Sequence, residues 1–63
     1  MLTLTVTAAT LKALSINQEL MKSSPLASSA VQALTPLLMA RGFDVVKPID
    51  VSERSEGGFT LTQ

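Results

Sequence analysis

Sixty-three residues make at most one domain, and a chain this short buries only about 60% of the surface that its unfolded form exposes, so we expect reinforcement by self-association or a partner. The sequence contains no cysteine and no histidine, which excludes disulfides, thiolate metal sites and histidine-based catalysis. Five basic and five acidic residues cancel to a net charge of zero, and charged residues make up only 16% of the chain, so no overall charge attracts nucleic acid or anionic lipid.

The first predicted element is a strand over residues 1–6. Aliphatic residues at positions 2, 4 and 6 alternate with threonines at positions 3 and 5, and this period of two indicates a strand with one buried face. No charged residue lies in the segment. Its edge is therefore a candidate for pairing with a second chain, with Leu2 and Leu4 as contact residues.

A helix is predicted from Thr7, as N-cap, to about Lys22. Its charged and polar residues share one narrow stripe, and the apolar arc around the rest of the helix is wider than the roughly 100° that faces a single core. The helix is therefore expected to touch something on two sides. Partner contacts are predicted through Leu11, Leu14 and Met21.

A second helix is predicted to begin at Ser24, as N-cap, with Pro25 at its first position. It should reach about Arg41, with Gly42 as the residue that ends it. Pro36 falls inside this segment and should kink or break the helix, because proline lacks the amide of an interior helical residue.

One face of this second helix is polar without being charged. It includes Ser28, Gln32 and Met39, and interface cores are depleted of charge and tolerate methionine well. The face is therefore predicted to be a contact surface, although a sparsely charged solvent face is the alternative.

Two further strands are predicted, at residues 43–51 and 59–63, joined by a charged turn that ends in Gly57 and Gly58. Both segments alternate with a period of two. In the first, the residues predicted to point inward are Phe43, Val45, Ile49 and Val51, with Lys47 as the exception, and those predicted to point outward are Asp44, Val46, Pro48 and Asp50. Pro48 argues that the first of them lies at a sheet edge or carries a bulge.

The predicted fold class is α+β: a single domain over residues 1–63, with a βααββ order and both helices packed on one face of a three-stranded antiparallel sheet. The strand order stays open. The chain lacks the basic segment and apolar run of a secretory signal and the long apolar run of a membrane span. A cytoplasmic location without membrane contact is expected.

Catalytic and metal-binding patterns are missing from the sequence. Its serines and threonines have no histidine or Ser-x-x-Lys pattern to activate them. The acidic residues Asp44, Asp50, Glu53 and Glu56 lack the spacing of a calcium loop. We predict no enzymatic activity, no cofactor and no metal.

The segment from Leu38 to Phe43, followed by a charged hairpin and the return strand over residues 59–62, resembles the end of a winged-helix domain. That resemblance implies a DNA-binding regulator that acts as a dimer, with Lys47 and Arg54 as the nucleic-acid contacts. The usual first helix is missing, and the would-be recognition helix has no lysine or arginine over residues 27–38.

The preferred functional prediction is a small protein–protein interaction module. It would act as a homo-oligomer, or as a subunit or inhibitor docked on a larger protein, and nucleic acid is the less favoured partner. Proteins of this size are also common in phages and mobile elements, which is an expectation from size alone.

Overall fold

The elements follow one another as β1 (Thr3–Val6), α1 (Ala8–Ala13), α2 (Gln18–Met21), α3 (Ser28–Ala40), β2 (Asp50–Glu53) and β3 (Phe59–Thr62). This computed structural model describes residues 1–23 and 25–63. The predicted α+β class, with a three-stranded antiparallel sheet and the helices on one face, is confirmed. Three helices are present in the described part of the chain where two were predicted.

The strand order in the sheet is β1-β3-β2, so β3 lies between the other two strands. Both pairings are antiparallel, and they align Leu61 of β3 with Leu4 on one side and Val51 on the other. Side chains of this row face the helices and belong to or pack against the core. Pro48 was predicted to place its strand at a sheet edge or at a bulge; β2 does lie at an edge of the sheet, although Pro48 itself precedes β2.

The single helix predicted from Thr7 to Lys22 is wrong, because the chain turns between α1 and α2. Ser15 has a left-handed φ of 58°, and the amides of Ser15 and Ile16 donate back to the carbonyls of Lys12 and Leu11. This pair of hydrogen bonds is the Schellman arrangement that ends a helix. It also places Ile16 in the core with Leu11.

The second helix begins later than predicted. Its first residue is Ser28, and Ala27 precedes it without a side-chain capping bond. Ser24 lies outside the described residues, and Pro25 is ahead of the helix, so its assignment to the first helical position is wrong. The reason is the burial of Leu26, which enters the core before the helix starts.

The end of α3 agrees with the prediction. Gly42 has a φ of 85°, and the amides of Gly42 and Phe43 donate to the carbonyls of Met39 and Leu38, which is the Schellman pattern again. A break at Pro36 does not occur, since α3 runs from Ser28 to Ala40.

The strand predicted over residues 43–51 is wrong for most of its length, because β2 begins only at Asp50. Residues 43–49 form a loop, although the side chains take the predicted sides: Phe43 and Ile49 are buried and Val46 is exposed. The carboxylate of Asp44 accepts from the Val46 amide at 3.1 Å, and its carbonyl accepts from the Lys47 amide at 3.1 Å. Such local bonds replace a strand ladder.

The core lies between the inner face of the sheet and the helices. It is formed by aliphatic and aromatic side chains from β1, β3, the three helices and the 43–49 loop, while Val51 of β2 packs against it partly buried. The largest fully buried side chains include Phe59, Leu11, Met21, Leu34, Leu38 and Ile49. Within residues 1–23 and 25–63, no helix combines the length and apolarity that crossing a membrane requires.

Candidate protein-contact surfaces

A groove of about 450 Å³ separates α3 from the loop that leads into β2. We call it the α3 groove. One wall is helical and the other is the loop, so the groove depends on how firmly the loop is held against the domain. Its lining includes Ser28, Val31, Gln32, Val45, Val46 and Lys47.

The α3 groove is mainly apolar, with few polar groups. Val46 at its rim is 86% exposed, so most of this aliphatic side chain is in contact with water and not with its own domain. The hydroxyl of Thr35 donates to the carbonyl of Val31 at 2.8 Å and is thus satisfied within the helix. Lys47 is the charged residue of the lining, and its long aliphatic stem allows the ammonium group to stay in water.

Three of the predicted contact residues lie on one side of α3. Ser28, Gln32 and Met39 recur at helical spacings of four and seven residues, which places them on the same face. Ser28 and Gln32 line the α3 groove. Met39 lies further along this face and is 64% exposed, so the face continues past the groove as an uncharged surface.

The loop wall of the groove is held by the side-chain amide of Gln63. Its oxygen accepts from the Asp44 amide at 2.6 Å, and its nitrogen donates to the Asp44 carbonyl at 2.7 Å. The same nitrogen lies 3.5 Å from the Lys47 carbonyl. The Gln63 side chain therefore bonds to the loop backbone as a neighbouring strand would. No local sequence signal indicates this contact across 19 residues.

Replacing Gln63 with alanine should loosen this wall. Two neutral hydrogen bonds are lost, which at roughly 1 kcal/mol each lowers the free energy of unfolding by about 1–2 kcal/mol. The Asp44 amide should lose its protection and exchange nearly as fast as in an unfolded chain, whereas amides in the β1–β3 ladder should accelerate only by the roughly 5- to 30-fold that this loss of global stability implies. Retained protection of the Asp44 amide would contradict a local role for Gln63.

Three other predicted contact residues are in the core. Leu4, Leu11 and Met21 are all buried within one copy, so their side chains do not lie on the open surface where a partner was predicted to meet them. The wide apolar arc of the first helix is explained by the turn at Ser15, which divides it between two short helices that bury different residues. Leu14 and Leu2 remain partly exposed at the surface.

The outer edge of β1 is a second candidate surface. In the described part of the chain β1 has a strand neighbour on one side, β3, and none on the other. Thr3 and Thr5 are exposed there. An exposed edge of this kind is the surface to which a further strand adds by backbone hydrogen bonding.

The two predicted nucleic-acid contacts are not brought together. Lys47 precedes β2 and lines the α3 groove, whereas Arg54 follows β2 at its other end. The guanidinium of Arg54 lies 3.5 Å from the carboxylate of Glu56. A DNA duplex bound at this turn would also meet its acidic residues. Their negative charge repels the DNA phosphates and opposes binding.

Comparison of this chain with protein-family models, with curated proteins and with solved structures finds no significant match.

Proposed function

We propose that this chain is a non-enzymatic protein–protein interaction module that receives an apolar segment of a protein partner in the α3 groove. The observation that carries the proposal is the groove itself, where the highly exposed Val46 faces an uncharged helical wall. The partner is a second copy or a larger protein. The chain acts by scaffolding or steric blocking, and its site of action is the cytoplasm.

A partner that fills the α3 groove has few charged groups to remove from water. Ser28 and Gln32 are neutral, and a hydroxyl or amide costs far less to remove from water than a charge. Burying the side chain of Val46 contributes about 1.5–3 kcal/mol when it becomes fully enclosed. Together these features give a surface on which apolar contact is gained and little charge desolvation is lost.

A Val46→Asp variant tests the groove. The new carboxylate would be buried by any occupant, so binding should weaken at least tenfold, roughly. The tagged chain is used to capture a partner from cell extract, and the purified partner is then titrated against wild type and variant. Ser29→Asp is the matched control, because it adds the same charge to exposed α3 outside the groove lining and should change affinity by less than about twofold.

Equal affinity of the Val46→Asp variant and wild type for the purified partner would contradict the groove as the binding site. The rival function, DNA binding, has its own outcome. Tight binding to random duplex DNA at low salt, lost steeply as salt is added and abolished by charge reversal at Lys47 and Arg54, would replace the interaction module.

A further inference from the structure

We propose that β1 pairs antiparallel with β1 of a second copy, about a two-fold axis at Leu4, and joins two sheets into one of six strands. The inference rests on the proposed interaction function and deepens it, because it names a second copy as one partner. It uses a surface separate from the α3 groove.

The backbone of β1 has its outward hydrogen-bonding groups at Thr3 and Thr5. Leu2 and Gln63 exchange both amide–carbonyl bonds, at 2.8 and 3.0 Å, so they form a hydrogen-bonded pair of the antiparallel ladder. Since the pattern alternates, Leu4 and Val6 also bond to β3. The amides and carbonyls of Thr3 and Thr5 therefore point away from the sheet, toward the open edge.

The sequence of β1 is close to a palindrome about Leu4. Residues 2–6 read aliphatic, threonine, leucine, threonine, aliphatic. A two-fold axis requires each residue to meet the one equally far on the other side of the centre. Thr3 then lies opposite Thr5 of the second copy, and the two such pairs exchange four hydrogen bonds across the edges.

The side chains match this arrangement as well as the backbone does. Directly opposed residues of an antiparallel pair point to the same face, so Leu4 lies opposite Leu4 of the second copy on the helix side and threonine lies opposite threonine on the solvent side. Leu2, which is 37% exposed in one copy, lies opposite Val6 of the second copy, whose side chain is already buried within its own copy. The helices of both copies lie on one face of the combined sheet.

Charge distinguishes this edge from the opposite one. The first charged side chain after the N-terminus is Lys12, so no side-chain charge of β1 opposes its approach to a second β1. At the other edge, Pro48 precedes β2, and β2 itself carries Asp50 and Glu53. Proline and charge are the devices that keep strand edges from pairing. The sheet is thus protected at β2 and open at β1.

Sedimentation equilibrium on the full chain tests the proposal. Wild type should sediment with twice the 6.6 kDa mass of one chain at protein concentrations up to about 1 mM. The variant with Thr3→Lys and Thr5→Lys places like charges directly opposite each other, and its dissociation constant should rise at least tenfold, roughly. Ser52→Lys is the matched control. Thr60 of β3 pairs with Thr5 on one side and Ser52 on the other, so Ser52 occupies the equivalent position at the opposite edge of the sheet.

A charge swap guards against a merely misfolded lysine variant. The chain with Thr3→Glu and Thr5→Glu should likewise dimerise at least tenfold more weakly, roughly, and an equal mixture of the lysine and glutamate variants should regain the dimer mass. In the mixture each lysine lies opposite a glutamate. Restoration of the dimer by mixing requires that the two β1 edges lie against each other.

A monomeric wild type across the whole concentration range would overturn the inference and leave the groove proposal to its own Val46→Asp experiment. A dimer that persists in the lysine variant would also overturn it, since the copies would then meet elsewhere. If that dimer is lost in Val46→Asp instead, the α3 groove is the contact between copies.

Discussion

Gly58→Ala is expected to lower the free energy of unfolding by roughly 3 kcal/mol, through strain at a backbone position that glycine alone tolerates. Gly58 has a φ of 80° and is buried against the chain where β1 ends. A Cβ there would clash with the Val6 carbonyl oxygen and lie 3.0 Å from the Thr7 Cα. Both neighbours are backbone, so neither can move aside without disturbing the β1–β3 pairing.

Gly57→Ala is the matched control for this prediction. Gly57 has a φ of 93°, and a Cβ there meets nothing within 4 Å. Its cost should therefore be the conformational part alone, about 1 kcal/mol. Urea unfolding of both variants gives the comparison, and equal losses would mean that the contact with Val6 and Thr7 is not what excludes a side chain at Gly58.

Leu34→Ala is expected to cost a similar amount, roughly 3 kcal/mol, because it leaves a cavity in the centre of the core. The side chain of Leu34 is completely buried on the face of α3 that packs against the core. For a domain of this size such a loss moves the melting temperature by more than about 10 °C. Thermal unfolding followed by circular dichroism measures the shift.

Leu37→Ala controls for the chemical change itself. Leu37 is on the same helix but 38% exposed, and alanine favours the helix equally at both positions. Its substitution should cost less than about 1 kcal/mol. Similar losses at Leu34 and Leu37 would contradict the orientation of α3.

Over residues 43–51, the side on which a residue lies could be predicted from the sequence better than the type of element. The alternation over residues 43–51 correctly separated inward Phe43 and Ile49 from outward Val46. Alternation reports burial, and a loop pressed against a core can alternate as a strand does. The strand prediction failed because the Asp44 carboxylate and carbonyl accept hydrogen bonds from the Val46 and Lys47 amides. The hydrophobic pattern does not decide between such a turn and a strand ladder.

The division of the first helix was not predictable from periodicity for a related reason. Helix ends are usually marked by glycine, whereas here Ser15 adopts the left-handed conformation. The hydrogen bond of the Glu19 amide to the Asn17 side chain, at 2.9 Å, begins α2. Asn17, a residue type that commonly caps the start of a helix, was the sequence signal for α2. The polar stripe continues past Asn17, so the pattern was interpreted as a single helix.

The candidate contact surfaces were predicted in part. Ser28, Gln32 and Met39 share one face because helical spacing requires it. The opposite wall of the α3 groove depends on Gln63, which reaches the loop across 19 residues. Contacts at that separation follow from the packed fold, so no pattern local to α3 could indicate a groove.

The central position of β3 bears on how this chain acquires its structure. β3 follows all the other elements along the described chain, yet β1 and β2 pair with it and not with each other. On a ribosome, no strand can find its neighbour until residues 59–62 have emerged. Until then, both edges of the threonine-rich first strand remain unpaired. Pairing Val6 with Phe59 closes a loop of more than fifty residues, so folding should be slower than that of a helical chain of equal length.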